Sequence, residues 1–144
     1  MRFFFYGTLL DPDVMATVIR RRLPPSAYVP AMLPGYARRR VKGGSYPIVL
    51  RDRRSVVHGA VVAGLSPRDV ACLAACEGPG YRIGSRSVQV AARPLRAHVF
   101  EPVVERFEPT AGRWDLVAWQ RTSKKKFLER VRRAFSAHPG YSTP

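Results

Sequence analysis

Arg2-Phe3-Phe4-Phe5-Tyr6-Gly7-Thr8-Leu9-Leu10-Asp11-Pro12 stands almost at the start of the chain and is its most telling stretch. Four aromatic residues in succession stop at Gly7. A run that is apolar at odd and even positions alike suits a strand buried on both faces. Asp11 then offers a carboxylate helix cap and Pro12 suits the first helical position. Val14, Val18 and Ile19 recur at helical spacing until Arg20, Arg21, Arg22 and Pro24-Pro25 close the segment. The opening therefore reads as strand, glycine-hinged loop and helix. At such a corner backbone N–H groups converge and favour an anion, although many corners of this kind are plain connections.

Working outward, residues 28–33, 36–41 and 46–50 read as strands separated by Pro34-Gly35 and by Gly43-Gly44, with a further turn at 52–55. Residues 56–64 read as a central strand in which glycines permit close packing, and 83–91 and 95–103 as two more strands joined through the Pro94 region. Ser66-Pro67-Arg68-Asp69 has the grammar of a helix start: a hydroxyl cap, a proline at the first position and an acid at the third. In that helix Val70, Leu73 and Ala74 occupy positions i, i+3 and i+4. The next residue of the stripe, at i+7, is Glu77, a charge where an apolar residue was due. Gly78-Pro79-Gly80 terminates the helix. Asp115 caps a last helix whose face is traced by Leu116, Trp119, Ser123, Phe127, Val131 and Phe135. The order of elements predicts an α+β fold, one domain over residues 1–136 and a flexible tail over 137–144.

Composition is consistent with this. At 144 residues and 46% apolar content, the chain is long enough to bury a core without staples. Cys72 and Cys76, four apart in a helix, form neither a disulfide framework nor a zinc pattern, so small buried residues in a reducing cytoplasm are expected. The apolar start is interrupted by Gly7 and Asp11 before signal-peptide length, and nothing approaches the roughly 20 apolar residues of a membrane span. A soluble protein without membrane partners is expected. The formal charge of +15, from 25 Lys and Arg against 10 acids, is spread along the chain. It predicts a solvated basic surface, with nucleic-acid contact that is weak and electrostatic if it occurs at all.

His58, His98 and His138 are scattered, and no His, Cys, Asp and Glu cluster has metal-ligand spacing, so no metal is expected. Phosphate-loop, dinucleotide and nucleophile-elbow motifs are missing too, and no cofactor is expected. What remains is Glu77. Desolvation and the carbonyl end of its helix would both raise its pKa, and neighbouring arginines would oppose that, leaving a group able to accept and donate a proton near neutral pH. The alternatives at this point are a side chain that frays outward and a structural ion pair with Arg82.

Taken together, the chain resembles the gamma-glutamylcyclotransferase superfamily, in particular its avirulence-induced-gene-like branch. The resemblance runs in order through Phe4-Phe5-Tyr6-Gly7-Thr8-Leu9 with Asp11-Pro12, Leu33-Pro34-Gly35-Tyr36, Tyr46-Pro47, Val57-His58-Gly59, Leu65-Ser66, Leu73, Glu77-Gly78, Tyr81, Val99-Phe100 and Trp114 to Trp119. It implies a small mixed β-barrel with packed helices and a cavity. In that cavity the Tyr6-Gly7-Thr8-Leu9 loop binds a γ-glutamyl group, Glu77 handles the proton, Tyr81 closes the pocket and Tyr46 forms part of its wall. The implied reaction turns a γ-glutamyl amine, amino acid or peptide into 5-oxoproline and the free amine, without a cofactor. Two departures bear on substrate preference and turnover: Ala74 stands where the family often has an acid, and Ile83 where it often has an arginine, leaving Arg82. Two other readings are a non-catalytic metabolite-binding or interaction module on the same fold, and a basic nucleic-acid-binding protein. Against the latter, the C-terminal aromatics read as core anchors.

Overall fold

In a computed structural model, which describes residues 1–103 and 106–136, the aromatic run becomes β1 (Phe3–Phe5), and its alternating side chains divide the interior in two. Phe3 and Phe5 face a core shared with the helices, while Phe4 and the following Tyr6 face a second core of Leu33, Val49, Val57, Val61, Val88 and Val99. Successive strand residues point to opposite faces, so only a strand covered on both sides can bury all four rings. Each buried ring stabilises the fold by about 2 kcal/mol.

The remaining strands are β2 (Val29–Arg40), β3 (Pro47–Val62), β4 (Tyr81–Val90) and β5 (Arg93–Pro102). They close into a barrel in the order β1-β3-β2-β4-β5. β1 runs antiparallel to β3, with Phe3 opposite Val62, and parallel to β5, with Phe3 opposite His98. Met32 of β2 meets Gln89 of β4 and completes the ring. The helices are α1 (Pro12–Ile19), α2 (Pro67–Glu77), α3 (Leu116–Thr122) and α4 (Lys124–Ser136). The mixed barrel with packed helices is thus the fold expected from the resemblance. Among the described residues, no helix is long and apolar enough to cross a membrane.

Several boundaries differ from the expectation. Pro34-Gly35 does not separate two strands: β2 runs through it with a register shift between Pro34, opposite Val56, and Tyr36, opposite Arg51, a bulge that sets Gly35 against residues 52–55 of β3. Residues 52–55 are not a turn either, because β3 continues through them. The β4–β5 hairpin turns at Ala91 and Ala92, both in the left-handed region (φ 49° and 62°), and Pro94 lies inside β5 opposite Gln89. The single C-terminal helix is two helices, broken at Ser123 (φ −128°). Ala74 is exposed, so the buried face of α2 is carried by Asp69 and Leu73, with Val70, Cys72 and Cys76 half-buried beside them. The tail expected at 137–144 lies outside the described residues.

The two helix starts that flank the site form as their sequences dictate. Asp11 caps α1 by accepting from the Asp13 and Val14 N–H groups at 2.9 and 3.0 Å. Ser66 and Asp69 make a reciprocal capping box at α2, and Asp69 also holds Arg21 at 2.7 Å, tying α2 to the end of α1. Gly78, at φ 76° and ψ −173°, then ends α2 in a conformation open essentially to glycine alone, which costs a side-chain-bearing residue about 1–3 kcal/mol. Glu77 is therefore held as the last helical residue before a sharp change of direction.

Candidate active site

Between the barrel and α2 lies a cavity of about 400 Å³. It is reached by Tyr6, Gly7, Thr8 and Leu9 from the loop after β1, by Tyr46 and Pro47 from the start of β3, by Cys76 and Glu77 from the end of α2, and by Gly80 and Tyr81 from the start of β4. Phe4, Phe5, Phe100, Arg106, Phe107 and Phe127 complete the lining. The seven residues singled out from the sequence, Tyr6, Gly7, Thr8, Leu9, Tyr46, Glu77 and Tyr81, all border this one space.

Glu77 is packed about by protein yet opens onto the cavity, neither frayed outward nor paired with Arg82. Among the described residues, no side chain forms a hydrogen bond or ion pair with its carboxyl group. Burial without a partner disfavours the charged form and pushes its pKa from 4.5 up to about 8. The adjacent Cys76 is pushed up to about 12, first by burial and then by Glu77, so at neutral pH it is a thiol and not an activated nucleophile. Burial, reinforced by Glu77, also raises Tyr81 and keeps it a phenol. Near neutral pH Glu77 is thus the one side chain of this set poised to change its proton.

The loop opposite is built to hold its shape. Residues Thr8–Leu10 form one 3-10 turn, in which Leu10 N–H donates to Gly7 O and Asp11 N–H to Thr8 O, both at 3.0 Å. Among the described residues, none accepts a hydrogen bond from the N–H groups of Gly7, Thr8 or Leu9. The Tyr6 hydroxyl donates to Phe100 O at 2.7 Å, so that residue offers the cavity its ring and backbone, not its phenol. A Cβ on Gly7 would stand 2.9 Å from Pro47 Cγ, so glycine is what lets this wall come close. Beyond the loop, Asp11 is fully buried. It receives Gln120 Nε2 of α3 at 2.8 Å and Lys124 Nζ of α4 at 2.9 Å, which clamps the loop's far end to both C-terminal helices.

The mouth is aromatic. Phe107 lies 5.2 Å from the Tyr81 ring and 6.1 Å, edge-on, from Tyr46. Tyr46 is half-buried on its rim, and the turn behind it is fixed by Trp114 Nε1 donating to Ser45 O at 2.8 Å and Trp119 Nε1 to Ser45 Oγ at 3.4 Å. Sequence reasoning missed Pro47, Arg106, Phe107 and Phe127 as lining residues, and missed Arg38, whose guanidinium holds the Tyr6 carbonyl at 2.9 Å from outside the cavity. Among the described residues, no group of three or more His, Cys, Asp or Glu side chains is placed to hold a metal ion.

Comparison with known proteins gives a consistent answer. Residues 3–116 match the sequence model of a family described as "Gamma-glutamyl cyclotransferase, AIG2-like". AIG2-like protein A of Arabidopsis thaliana is 33% identical over 128 residues, which is 88% of this chain and 76% of that protein. A solution structure of an Arabidopsis thaliana protein superposes with a TM-score of 0.66 at 30% identity, covering 94% of this chain and 90% of that one. A structure titled gamma-glutamyl cyclotransferase superposes with a TM-score of 0.58 at 13% identity, over 100% and 91% of the two chains, a likeness of fold alone.

Proposed function

The chain belongs to the gamma-glutamyl cyclotransferase, AIG2-like family, and from that premise we propose that it converts a γ-glutamyl amine, amino acid or peptide to 5-oxoproline and the free amine, with Glu77 as the proton-transferring group. The observation that carries this reading is an unpartnered carboxyl group, raised to about 8, facing a cavity that also reaches the Gly7–Leu9 backbone.

The substrate's α-amino group must attack its own γ-carbonyl, and as an ammonium it cannot. An ordinary carboxylate is too weak a base for that proton, whereas burial brings Glu77 close to the range of amines. Glu77 takes one proton as the nitrogen attacks, and returns it to the leaving nitrogen as the C–N bond breaks. The ring nitrogen's second proton follows onto the released amine. Bonds and protons balance without an oxidant, a reductant or a group carrier.

The Gly7, Thr8 and Leu9 N–H groups hold the glutamyl carboxylate or the developing oxyanion, which fixes the folded conformer that brings amine and carbonyl together. Tyr81 and Tyr46, set around Phe107, close the leaving side.

The test is a mass-spectrometric screen for 5-oxoproline across γ-glutamyl amino acids, γ-glutamyl amines and glutathione, run with wild type and Glu77→Gln. Release by Glu77→Gln as fast as by wild type removes Glu77 from the mechanism. Thermal stabilisation by γ-glutamyl ligands with no 5-oxoproline from any of them reduces the site to a binding pocket.

A further inference from the structure

We propose that Arg38 is a positioning residue that aims and strengthens the Gly7 N–H donor by holding the Tyr6–Gly7 peptide from behind. Arg38 lies on β2 and borders the cavity nowhere. Its Nη1 donates to Tyr6 O at 2.9 Å and to His58 O at 3.2 Å, and its guanidinium lies 5.3 Å from the centre of the Trp114 ring. Arg39 and Arg40 beside it hold other carbonyls, those of Arg38 and Arg113, so the grip on the loop belongs to Arg38 within this run of three.

The peptide geometry converts that grip into a direction. No cis bond is present among the described residues, and in a trans peptide the N–H lies opposite the C=O. With the Tyr6 carbonyl turned to Arg38, the Gly7 N–H turns the other way, and no protein group among the described residues accepts from it. A cation on the carbonyl also draws electron density along the amide, making the N–H a stronger donor, as in any polarised hydrogen-bond chain. The charge has few other uses: Arg38 makes no ion pair among the described residues, and burial pulls its pKa down, with Asp115 opposing. A half-buried cation that meets two main-chain carbonyls gives up part of its hydration to do so, and bracing alone does not call for it, because the Tyr6 hydroxyl already braces the loop through Phe100.

This inference rests on the cyclotransferase reading for its effect on turnover, and the experiment separates the two. Tyr6-Gly7 is the single Tyr-Gly pair in the sequence, so labelling tyrosine carbonyls with carbon-13 and glycine with nitrogen-15 yields one NMR cross peak for this peptide. Arg38→Met should move that peak upfield in both dimensions and lower kcat/KM for 5-oxoproline release about tenfold or more, the scale of a charged hydrogen bond. Arg38→Lys, which keeps a charge and a donor, should recover part of both. A rise in KM alone places the Gly7 N–H on the glutamyl carboxylate, and a fall in kcat places it on the oxyanion.

The proposal is overturned if the peak stays in place in Arg38→Met, or if it moves while kcat/KM remains within twofold of wild type. Should Arg38→Met fail to fold, Arg38→Gln carries the same two readouts. A wild type that releases no 5-oxoproline from any substrate ends the cyclotransferase reading, while the cross peak still decides whether Arg38 sets the peptide plane.

Discussion

Asp11 and Glu77 are two carboxyl groups withdrawn from bulk water at opposite ends of two helices, and they have been treated in opposite ways. Asp11, at the start of α1, accepts from Asp13 N–H, Val14 N–H, Gln120 and Lys124. Burial alone would raise its pKa, but the hydrogen bonds from Lys124, Gln120 and Val14 outweigh it and hold the group below its usual range. Glu77, at the end of α2, has burial and nothing to offset it. The difference separates architecture from chemistry: a satisfied carboxylate fixes the loop in space, and an unsatisfied one keeps a proton in play.

The largest effect that tests this contrast is on activity. Glu77→Gln should lower 5-oxoproline release by about 10²–10⁴-fold, the usual worth of general acid–base catalysis, while the protein stays folded in a thermal melt. Asp11→Ala should do the reverse in kind. It removes a cap, strands Gln120 and takes one of the two carboxylates that hold Lys124, so urea unfolding should show a loss of about 3 kcal/mol. If Asp11→Ala were neutral for stability and Glu77→Gln severely destabilising, the contrast would be inverted.

The pH dependence has opposite signs at the two sites. Glu77 has a folded pKa above its unfolded value, so its contribution is fully present below pH 4.5 and is lost as pH rises through about 8. The stability advantage of Glu77→Gln over wild type should therefore open across that window and stay constant above it. Asp11, lowered from 3.8, stabilises above that value and loses its contribution as pH falls through its depressed folded pKa. Urea midpoints measured at steps of pH for wild type and the two variants check both signs. The smallest effect belongs to Lys124→Met, which leaves Asp11 three donors but removes its cation and the ion pair of Lys124 with Asp13, and should cost about 2 kcal/mol.

Where short-range chemistry decides, the sequence was readable. Asp11-Pro12 and Ser66-Pro67 with Asp69 announce helix starts because a cap is settled within four residues. Glu77 was visible because a charge interrupted an apolar stripe. Pro34-Gly35 and residues 52–55 misled because they face each other across a bulge: Pro34 pairs with Val56 and Tyr36 with Arg51, so the turn-prone residues between are set out of the ladder while both strands run on. The true β4–β5 turn uses Ala91-Ala92, which carries none of the glycine or asparagine that left-handed positions favour. The break at Ser123 has no proline or glycine to mark it. Arg38 was illegible for another reason: three consecutive arginines look alike in one dimension, and only the approach of the Tyr6 carbonyl distinguishes the one that reaches the loop.

The chain contains two tryptophans, and both indole N–H groups end on Ser45, the residue before Tyr46 of the cavity rim. The protein thus carries its own optical gauge of the pocket. A ligand that displaces Tyr46 must tug on both fluorophores at once, so intrinsic emission should shift in a saturable titration with a γ-glutamyl ligand and give a dissociation constant without any label. A flat trace alongside calorimetric binding would mean that the rim is rigid and that the pocket is filled without moving it.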